Sequence, residues 1–164
     1  MGNDSLDFTI NTLGPCTIQS PIKLSSVQGD MTANYVSDDS YVINNVNVYD
    51  KTKPIILDST NLIEKAGPRE KIFFDPAHAK AGICTCGGLC PGLNDVIRAV
   101  VRCLNTRYGV KTVKGYQFGF HGFFAESGYE PIELDRYLID EIHKIGGTYL
   151  GTSRGGGQRV SEIV

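Results

Sequence analysis

Polar residues dominate the first 40 positions of the chain, and the scattered apolar residues among them follow no sustained period. Ser, Thr, Asn, Asp and Gly are frequent there, so little apolar surface is available to offset the entropy lost on ordering. We therefore predict a disordered polar tail over residues 1–40. The pattern changes at Tyr41, and short apolar runs predict a β-rich N-terminal extension over residues 41–80.

Short runs of β-branched and apolar residues carry the strand signals of this extension. Val42, Val46 and Val48 share one face of a strand in YVINNVNVY, and β-branched residues favour strands. Ile55–Leu57 follows a proline and predicts a second short strand. The run Lys71–Phe74 ends at an Asp-Pro pair, because the residue before proline favours an extended conformation.

The most regular part of the chain begins at Ala81. Ala81–Thr85 is an apolar run too short for a helix and closed by Gly87-Gly88, so it predicts a buried strand. A glycine loop between a strand and a helix leaves backbone N–H groups facing outward, where phosphate can bind. GGLCPG matches neither the dinucleotide fingerprint nor the P-loop. On spacing alone, phosphate binding and an ordinary tight turn both remain open.

The residues after this turn predict an amphipathic helix. Asn94 or Asp95 is its candidate N-cap, because a short side-chain oxygen accepts hydrogen bonds from first-turn amides. Tyr108-Gly109 marks its C-terminus, where glycine adopts the left-handed conformation past the last turn. Apolar residues recur at helical spacing and are expected to pack against a sheet. They are Val96, Ile97, Val100, Val101 and Leu104.

Strand and helix patterns alternate to the end of the chain. Val110–Phe118 predicts a strand, and Thr148–Gly151 predicts a third one that leads into the glycine-rich loop 152–157. Between these strands, Asp135 is the predicted N-cap of a second helix. Val160–Val164 is typical of the opening turns of another helix. The buried side of the second helix is expected to carry Tyr137, Leu138, Ile142 and Ile145.

This alternation predicts an α/β fold with a doubly wound parallel sheet over residues 81–164. In such sheets ligands bind beyond the carboxyl ends of the strands. The loops 86–92 and 152–157 both fall at that edge, so together they favour phosphate binding more than either does alone. Neither loop identifies the ligand as a nucleotide.

Composition narrows the range of partners. The formal net charge is −2, which gives no reason to expect a nucleic acid or an anionic membrane as partner. No apolar run approaches the length of a membrane span, and the N-terminus has neither signal-peptide nor transit-peptide character. We therefore expect a cytoplasmic protein.

Five cysteines raise the questions of disulfides and metals. An odd number without paired CxxC spacing argues against a disulfide framework. Cys84, Cys86 and Cys90 are close in sequence, but no fourth ligand is suggested. We interpret them as small buried thiols, and we expect no metal site in this chain.

Two separate blocks of the sequence carry a family resemblance. TCGGLCPGLNDVIR at residues 85–98 resembles the nucleotide-loop signature of the 6-phosphofructokinases, which reads TSGGDAPGMNAAIR in bacterial members. LDRYLIDEIHKIGGTYLGTSRGG at 134–156 is similar to the family's second block, which contains RGGTFLGSAR in bacteria. CGGLCPGLN and AGPREKIFFDP look most like the ATP-using branch of plants and protists. The resemblance extends from Gly67 to the end of the chain.

The resemblance implies a fold and an activity. Family members have a Rossmann-type, three-layer α/β domain and transfer a phosphoryl group from ATP to the 1-hydroxyl of fructose 6-phosphate in glycolysis, with Mg²⁺. Many are allosteric homodimers or homotetramers. A pyrophosphate-dependent 6-phosphofructokinase is the first alternative, and a non-catalytic nucleotide-binding protein is the second.

The resemblance also implies roles for individual residues. Gly87 and Gly88 correspond to the backbone that donor phosphates approach, and Arg154 to the arginine against the transferring phosphate, with Gly155 beside it in the nucleotide site. Phe120 falls where bacterial members place a tyrosine beside the adenine, although an aromatic there also suits a core. Three arginines correspond in the resemblance to arginines of the bacterial allosteric site. They can equally be interpreted as a solvated helix face with an unrelated arginine, and both interpretations remain open. They are Arg98, Arg102 and Arg136.

Some features depart from the family pattern. Leu89 stands where bacterial members have an acid. The GGDG nucleotide and Mg²⁺ motif and the acidic catalytic loop lie downstream of the matched blocks, so no catalytic base or Mg²⁺ ligand can be named. We therefore expect the chain to be a truncated, N-terminal part of a longer enzyme. Arg69 is interpreted as a solvated surface arginine rather than a substrate contact.

Overall fold

The computed structural model describes residues 6–163 except 28, 48 and 49. The chain divides into two compact units, one ending at Phe73 and the other beginning at Phe74. None of the helices formed by the described residues is long and apolar enough to cross a membrane. The predicted boundaries at residues 40 and 80 stay predictions.

The first unit contains two short antiparallel ribbons. Strand β1 (Ile18–Gln19) pairs with β4 (Lys71–Ile72), and β2 (Tyr41–Ile43) pairs with β3 (Leu62–Glu64). The described part of the predicted disordered tail thus contains a strand. The local sequence pattern could not indicate this strand, because its partner strand lies about fifty residues further along the chain.

The strand predicted at Ile55–Leu57 was wrong, since this segment is irregular and exposed. The side chain of Asn61 donates to the carbonyl of Ile56 (2.9 Å), and Asp58 accepts from the backbone N–H of Thr60 (2.9 Å). This turn places Leu62–Glu64 opposite β2 instead. Val48, which was predicted to share a strand face, lies outside the described residues.

The second unit carries the α/β pattern. Its strands and helices follow in the order β5 (Lys80–Cys84), α1 (Leu93–Cys103), a π-helical turn (Leu104–Tyr108), β6 (Thr112–Tyr116), 3₁₀ turns (Gly119–Phe123 and Ala125–Ser127), β7 (Ile132–Glu133), α2 (Arg136–Ile142) and a last 3₁₀ segment (Gly157–Glu162).

One sheet forms from the three strands of this unit. β5 and β6 are parallel, with Lys80 opposite Thr112, whereas β7 is antiparallel to β6. The third strand predicted at Thr148–Gly151 is a turn, and only an isolated parallel bridge between Cys86 and Ser153 follows it. The fold is therefore mixed α/β with a parallel pair of strands, as predicted at that level.

Helices α1 and α2 pack over a small core. The buried apolar residues are Ile97, Val101, Val110, Val113, Leu134, Ile139, Ile142 and Leu150. Val96 and Val100 were predicted to face the sheet but are 60% and 40% exposed. Of the apolar residues of α1, only Ile97 and Val101 are fully buried, because the face of the helix that contacts the core is narrower than the apolar pattern in the sequence.

The buried side of α2 also differs from its prediction. Tyr137 is 88% exposed and Ile145 is 56% exposed, while Ile139 and Ile142 are fully buried. Ile145 lies beyond the end of α2 at Ile142, so the helical period no longer determines its direction. Tyr137 was expected on the buried side of the helix, but Ile139, two residues further along, is buried instead.

The helix ends depend on three different residues. Asp135 is confirmed as the N-cap of α2, where its Oδ1 accepts from the N–H of Leu138 at 2.7 Å. Gly109, with φ 74°, ends the first helical segment as predicted. The predicted side-chain cap of α1 was wrong, because the N-cap is Gly92 in the left-handed conformation (φ 86°).

Candidate functional site

Two glycine-rich loops meet at the carboxyl end of β5. The backbone N–H of Gly87 donates to the carbonyl of Ser153 at 2.9 Å, and the Thr152 hydroxyl donates to the carbonyl of Gly87 at 2.8 Å. Cys86 and Ser153 also form the parallel bridge. The structure therefore brings together the loops 86–92 and 152–157, which the sequence placed at one edge.

Thr85 connects the end of β5 to the segment before the second loop. Its hydroxyl donates to the carbonyl of Gly151 (2.6 Å) and lies 2.9 Å from the Thr148 hydroxyl. These side-chain contacts hold residues 148–151 against β5 without a strand ladder. A threonine at the end of an apolar run gave no signal of this role in the sequence.

A third loop, after β6, closes the site on one side. The Ser153 hydroxyl donates to the carbonyl of Phe118 (2.7 Å), and the N–H of Phe118 donates to the carbonyl of Leu150 (2.8 Å). Phe118 itself has φ 55°, a left-handed conformation that is uncommon outside glycine. Its ring rests where a Cβ at Gly151 would come within 2.7 Å.

The glycines of the second loop permit this close approach. A Cβ at Gly155 would lie 2.6 Å from Nε2 of His121, and one at Gly156 would lie 2.8 Å from Cβ of Phe120. The half-buried Phe120 thus lies against the second glycine loop. Its position is compatible with both roles considered for it, beside a bound ring or as part of the packing.

Gly88 and Arg154 face each other across the two loops. A Cβ at Gly88 would lie 3.7 Å from Nη2 of Arg154, and one at Gly87 would meet nothing within 4 Å. Arg154 is exposed and makes no hydrogen bond or ion pair with any residue that the structure describes. Its positive charge therefore lies beside open glycine backbone, an arrangement suited to an anion.

Arg159, five residues further on, differs from Arg154. It forms ion pairs with Glu126 (2.7 Å) and Glu162 (2.6 Å), and its guanidinium lies 3.9 Å from the centre of the Phe124 ring. The hydrogen bond from Arg159 lowers the pKa of Glu162. Arg159 is thus neutralised by protein carboxylates, whereas Arg154 is not neutralised by a described residue.

The first turn of α1 lies directly after the first glycine loop. Gly92 caps it without a side-chain hydrogen bond, so the first-turn amides of this 11-residue helix have no side-chain cap. Such amides and the positive end of the helix dipole favour a phosphate. The guanidinium of Arg154 is thus a source of positive potential for the loop, and the amides at the start of α1 are a second source that the first-turn carboxylate of Asp95 partly offsets.

Asn94 is a structural residue of the site that the sequence did not reveal. It is 2% exposed, its Nδ2 donates to the carbonyl of Ile145 (2.8 Å), and its Oδ1 accepts from the N–H of Tyr149 (2.6 Å). It therefore joins the start of α1 to the segment preceding the second glycine loop. The sequence suggested only a local role for Asn94, as a helix cap, and not these contacts with distant residues.

The three arginines proposed for an allosteric site lie elsewhere in the unit. Arg102 and Arg136 line a cavity of about 270 Å³ together with Asn105 and Thr106. Arg102 also pairs with Asp140 across the two helices at 3.3 Å. Arg98 is half-buried, does not line that cavity, and its Nε has no partner among the described residues.

Arg69 has a structural role in the first unit. Its side chain is 16% exposed and pairs with Glu64 at 2.8 Å and Asp38 at 3.4 Å. It also donates to the carbonyls of Val36 (3.0 Å) and Ser37 (2.7 Å). The interpretation as a solvated surface arginine was therefore wrong, since these partners hold the guanidinium within the unit.

The described residues offer no cluster of three or more His, Cys, Asp or Glu side chains that could hold a metal ion. The interpretation of the cysteines as buried thiols was wrong for Cys86 and Cys90, which are exposed, while Cys84 is half-buried. The side chains of Leu89 and Pro91 in the same turn are exposed as well.

The family model described as phosphofructokinase matches residues 80–163, which is 84 of the 164 residues. Among curated proteins, the ATP-dependent 6-phosphofructokinase of Borreliella burgdorferi is 43% identical over 158 residues. The ATP-dependent 6-phosphofructokinase 5, chloroplastic, of Arabidopsis thaliana is 54% identical over 102 residues. The ATP-dependent 6-phosphofructokinase of Trypanosoma cruzi is 47% identical over 103 residues.

These matches cover different shares of the chains compared. The Borreliella match includes 94% of this chain and 34% of the relative, the Arabidopsis match 62% and 18%, and the Trypanosoma match 63% and 21%. The chain thus spans about a third of the length of the Borreliella relative. The matched family segment contains both glycine loops and Arg154.

Proposed function

The chain belongs to the phosphofructokinase family, and from this premise we propose that the protein carrying it transfers a phosphoryl group from ATP to the 1-hydroxyl of fructose 6-phosphate. The product would be fructose 1,6-bisphosphate, in glycolysis. ATP as the donor is supported by the names of the relatives, which are ATP-dependent enzymes. The pyrophosphate alternative is not favoured for the same reason.

The observation that carries the proposal is the pairing of Gly88 with Arg154 across two hydrogen-bonded loops. Phosphoryl transfer requires positioning and charge stabilisation rather than covalent chemistry by the protein. The backbone at Gly87 and Gly88 has space for phosphate oxygens, and a guanidinium can hold two of them at once. We assign Arg154 the role of stabilising the negative charge on the phosphoryl group during its transfer.

The other matched residues receive supporting roles. Gly155 lets the second loop approach the nucleotide, and Phe120 supplies an aromatic face for the adenine. The hydroxyls of Thr152 and Ser153 hold the loops to Gly87 and Phe118, so both glycine loops are positioned before a ligand binds. Pre-positioned groups contribute to catalysis because no reorganisation is needed during the reaction.

Mg²⁺ is the proposed cofactor, and its chemistry when bound is to neutralise charge on the β- and γ-phosphate oxygens. The described residues contain no acidic cluster to hold it. We therefore assign the ion to the phosphates of ATP and to groups outside the described residues, and we assign no catalytic base here. We also propose that the sheet of the complete domain is a doubly wound parallel sheet.

Further family properties complete the proposal. We propose a homodimer or homotetramer in the cytoplasm and an effector site that includes Arg102 and Arg136, with Arg98 near it. The cavity that Arg102 and Arg136 line supports the effector site. One Arabidopsis relative is named as chloroplastic, so the compartment varies among relatives.

The test uses Arg154→Ala in the complete gene product, with Arg107→Ala as the control. Arg107 is an exposed arginine on the turn after α1. We expect Arg154→Ala to lower kcat with ATP and fructose 6-phosphate by about 10³-fold, the size seen for arginines on a transferring phosphate. Arg107→Ala should change kcat less than about twofold.

Two results would contradict the proposal. A kcat for Arg154→Ala near that of the unaltered protein would remove Arg154 from the reaction. Binding of ATP by the unaltered protein without any transfer to fructose 6-phosphate would support the non-catalytic alternative. Differential scanning calorimetry of both variants would show whether either change affects folding instead.

A further inference from the structure

Two cysteine thiols lie side by side at the entrance to the first glycine loop. Cys84 is the last residue of β5 and Cys86 is two positions further, so their side chains share one face of the extended backbone. Their Sγ atoms are 3.8 Å apart. Cys86 is exposed and Cys84 is half-buried. The proposed function uses neither thiol.

We propose that Cys84 and Cys86 form an intramolecular disulfide on exposure to a peroxide, and that this bond separates the two glycine loops. The chemical part of the inference does not depend on the proposed function. Its consequence for ATP binding rests on that function.

The reaction is a two-electron oxidation of the thiol pair. The Cys86 thiolate attacks one peroxide oxygen, the O–O bond breaks, and Cys86 becomes a sulfenic acid while the other oxygen leaves as water. Cys84 then gives up its thiol proton as its Sγ attacks the sulfenic sulfur, one S–S bond forms, and the hydroxyl leaves with that proton as a second water. Two thiols and one hydrogen peroxide thus give one disulfide and two waters.

The exposure of the two thiols gives this order of events. Peroxide reaches the exposed Cys86 first. Burial and the neighbouring Cys86 thiol raise the pKa of Cys84 to about 11, so Cys84 is protonated at neutral pH and reacts second, at close range. Cys90 is exposed in the turn, and no sulfur contact joins it to another described residue.

Closing the disulfide changes the backbone that joins the loops. A disulfide holds its sulfurs about 2 Å apart, so the pair must close from 3.8 Å. Cys86 forms the parallel bridge with Ser153, and its sulfur packs 3.0 Å from the position of a Cβ on Gly119. The hydrogen bond from the Gly87 N–H to the Ser153 carbonyl is adjacent to Cys86, so movement of Cys86 toward Cys84 strains this bond.

The chemical step can be followed by mass spectrometry of the complete gene product. Trypsin releases residues 81–98 as one peptide that contains Cys84, Cys86 and Cys90. After hydrogen peroxide and alkylation, we expect this peptide to lose two hydrogens and to carry the alkyl group on Cys90 alone. Fragments that break the chain between Cys86 and Cys90 assign the bond.

Variants make the assignment specific. Cys84→Ser and Cys86→Ser should each abolish the loss of two hydrogens, whereas Cys90→Ser should retain it. If one of the first two variants does not fold, the other gives the same answer. Alkylation of both Cys84 and Cys86 after peroxide, or a bond to Cys90, would overturn the proposal.

Loop separation has its own readout. Hydrogen exchange at the Gly87 amide, which is bonded to Ser153, should accelerate about tenfold in the oxidised protein and return after dithiothreitol. ATP affinity should fall by about tenfold in parallel, and Cys84→Ser should be insensitive to peroxide. Unchanged exchange in a fully oxidised sample would overturn the loop separation. Accelerated exchange in a protein that never binds ATP would support it and refute the proposed function.

Discussion

Asn94 joins two segments that are far apart in sequence, and its amide uses a donor and an acceptor to do so. Because the residue is 2% exposed, removing the amide leaves the Ile145 carbonyl and the Tyr149 N–H without that partner. Each such loss in a buried site costs about 1–3 kcal/mol. We expect Asn94→Ala to lower the free energy of unfolding by about 2–4 kcal/mol, measured by urea denaturation.

A matched surface variant controls this measurement. Asn47 is exposed, so Asn47→Ala should change the unfolding free energy by less than about 0.5 kcal/mol. Asn94→Asp keeps the acceptor for Tyr149 but places a buried carboxylate against the Ile145 carbonyl, so at neutral pH its loss should be at least as large as that of Asn94→Ala. Equal stability of Asn94→Ala and Asn47→Ala would contradict the role assigned to Asn94.

Gly88 can be altered without disturbing the fold. A Cβ there would lie 3.7 Å from the nearest atom, Nη2 of Arg154, an ordinary van der Waals distance. We therefore expect Gly88→Ala to melt within about 2 °C of the unaltered protein, yet to bind ATP at least about tenfold more weakly, because the methyl occupies space assigned to phosphate. Calorimetric melting and ATP titration measure the two effects separately.

Gly146→Ala is the control for Gly88, since a Cβ at Gly146 meets nothing within 4 Å and the residue lies outside both glycine loops. It should leave ATP affinity unchanged. If Gly88→Ala bound ATP as tightly as Gly146→Ala, the phosphate would not approach the backbone at Gly88.

At the scale of elements, α2 depends on its cap. The helix has seven residues, too few to be stable in isolation, and Asp135 Oδ1 bonds the N–H of Leu138 at its first turn. We expect Asp135→Ala to lower the unfolding free energy by about 1 kcal/mol. Asp135→Asn keeps an accepting oxygen and should cost less, and an equal loss in chemical denaturation would contradict the capping role.

Elements defined by contiguous residues were predictable, and those defined by distant partners were not. The order of β5, the glycine turn and α1 follows from local apolar runs and glycines, and so does the Asp135 cap. In contrast, β1 exists because β4 pairs with it, and Thr148–Gly151 is held by the Thr85 hydroxyl rather than by a ladder. No local pattern contains that information.

In the candidate site, too, the features set by contiguous residues were predictable and the contacts between distant residues were not. The sequence placed both glycine loops at one edge of a parallel sheet, and resemblance indicated Gly88 and Arg154. The contacts that align the loops involve Thr85, Asn94 and Ser153, whose side chains bond backbone groups more than thirty residues away. Such bonds depend on the folded arrangement, so residue type alone did not reveal them.

Exposed apolar residues lead to a prediction for the chain produced by itself. The core cluster of the second unit consists of eight buried apolar residues, while many large apolar side chains stay exposed. In the second unit these include Leu89, Val96, Val100 and Ile145, and in the first Val42, Val46 and Ile55–Leu57. Apolar exposure of this extent promotes association, and a core of this size stabilises a domain only marginally.

We therefore expect residues 1–164, expressed alone, to be poorly soluble or to unfold over a broad temperature range. Bound ANS should fluoresce strongly at 20 °C, because the dye binds exposed apolar surface in loosely packed states. The complete gene product, measured in the same buffer, is the reference and should bind less dye per chain. A soluble monomer of residues 1–164 with a sharp calorimetric transition, in which calorimetric and van't Hoff enthalpies agree, would contradict this expectation.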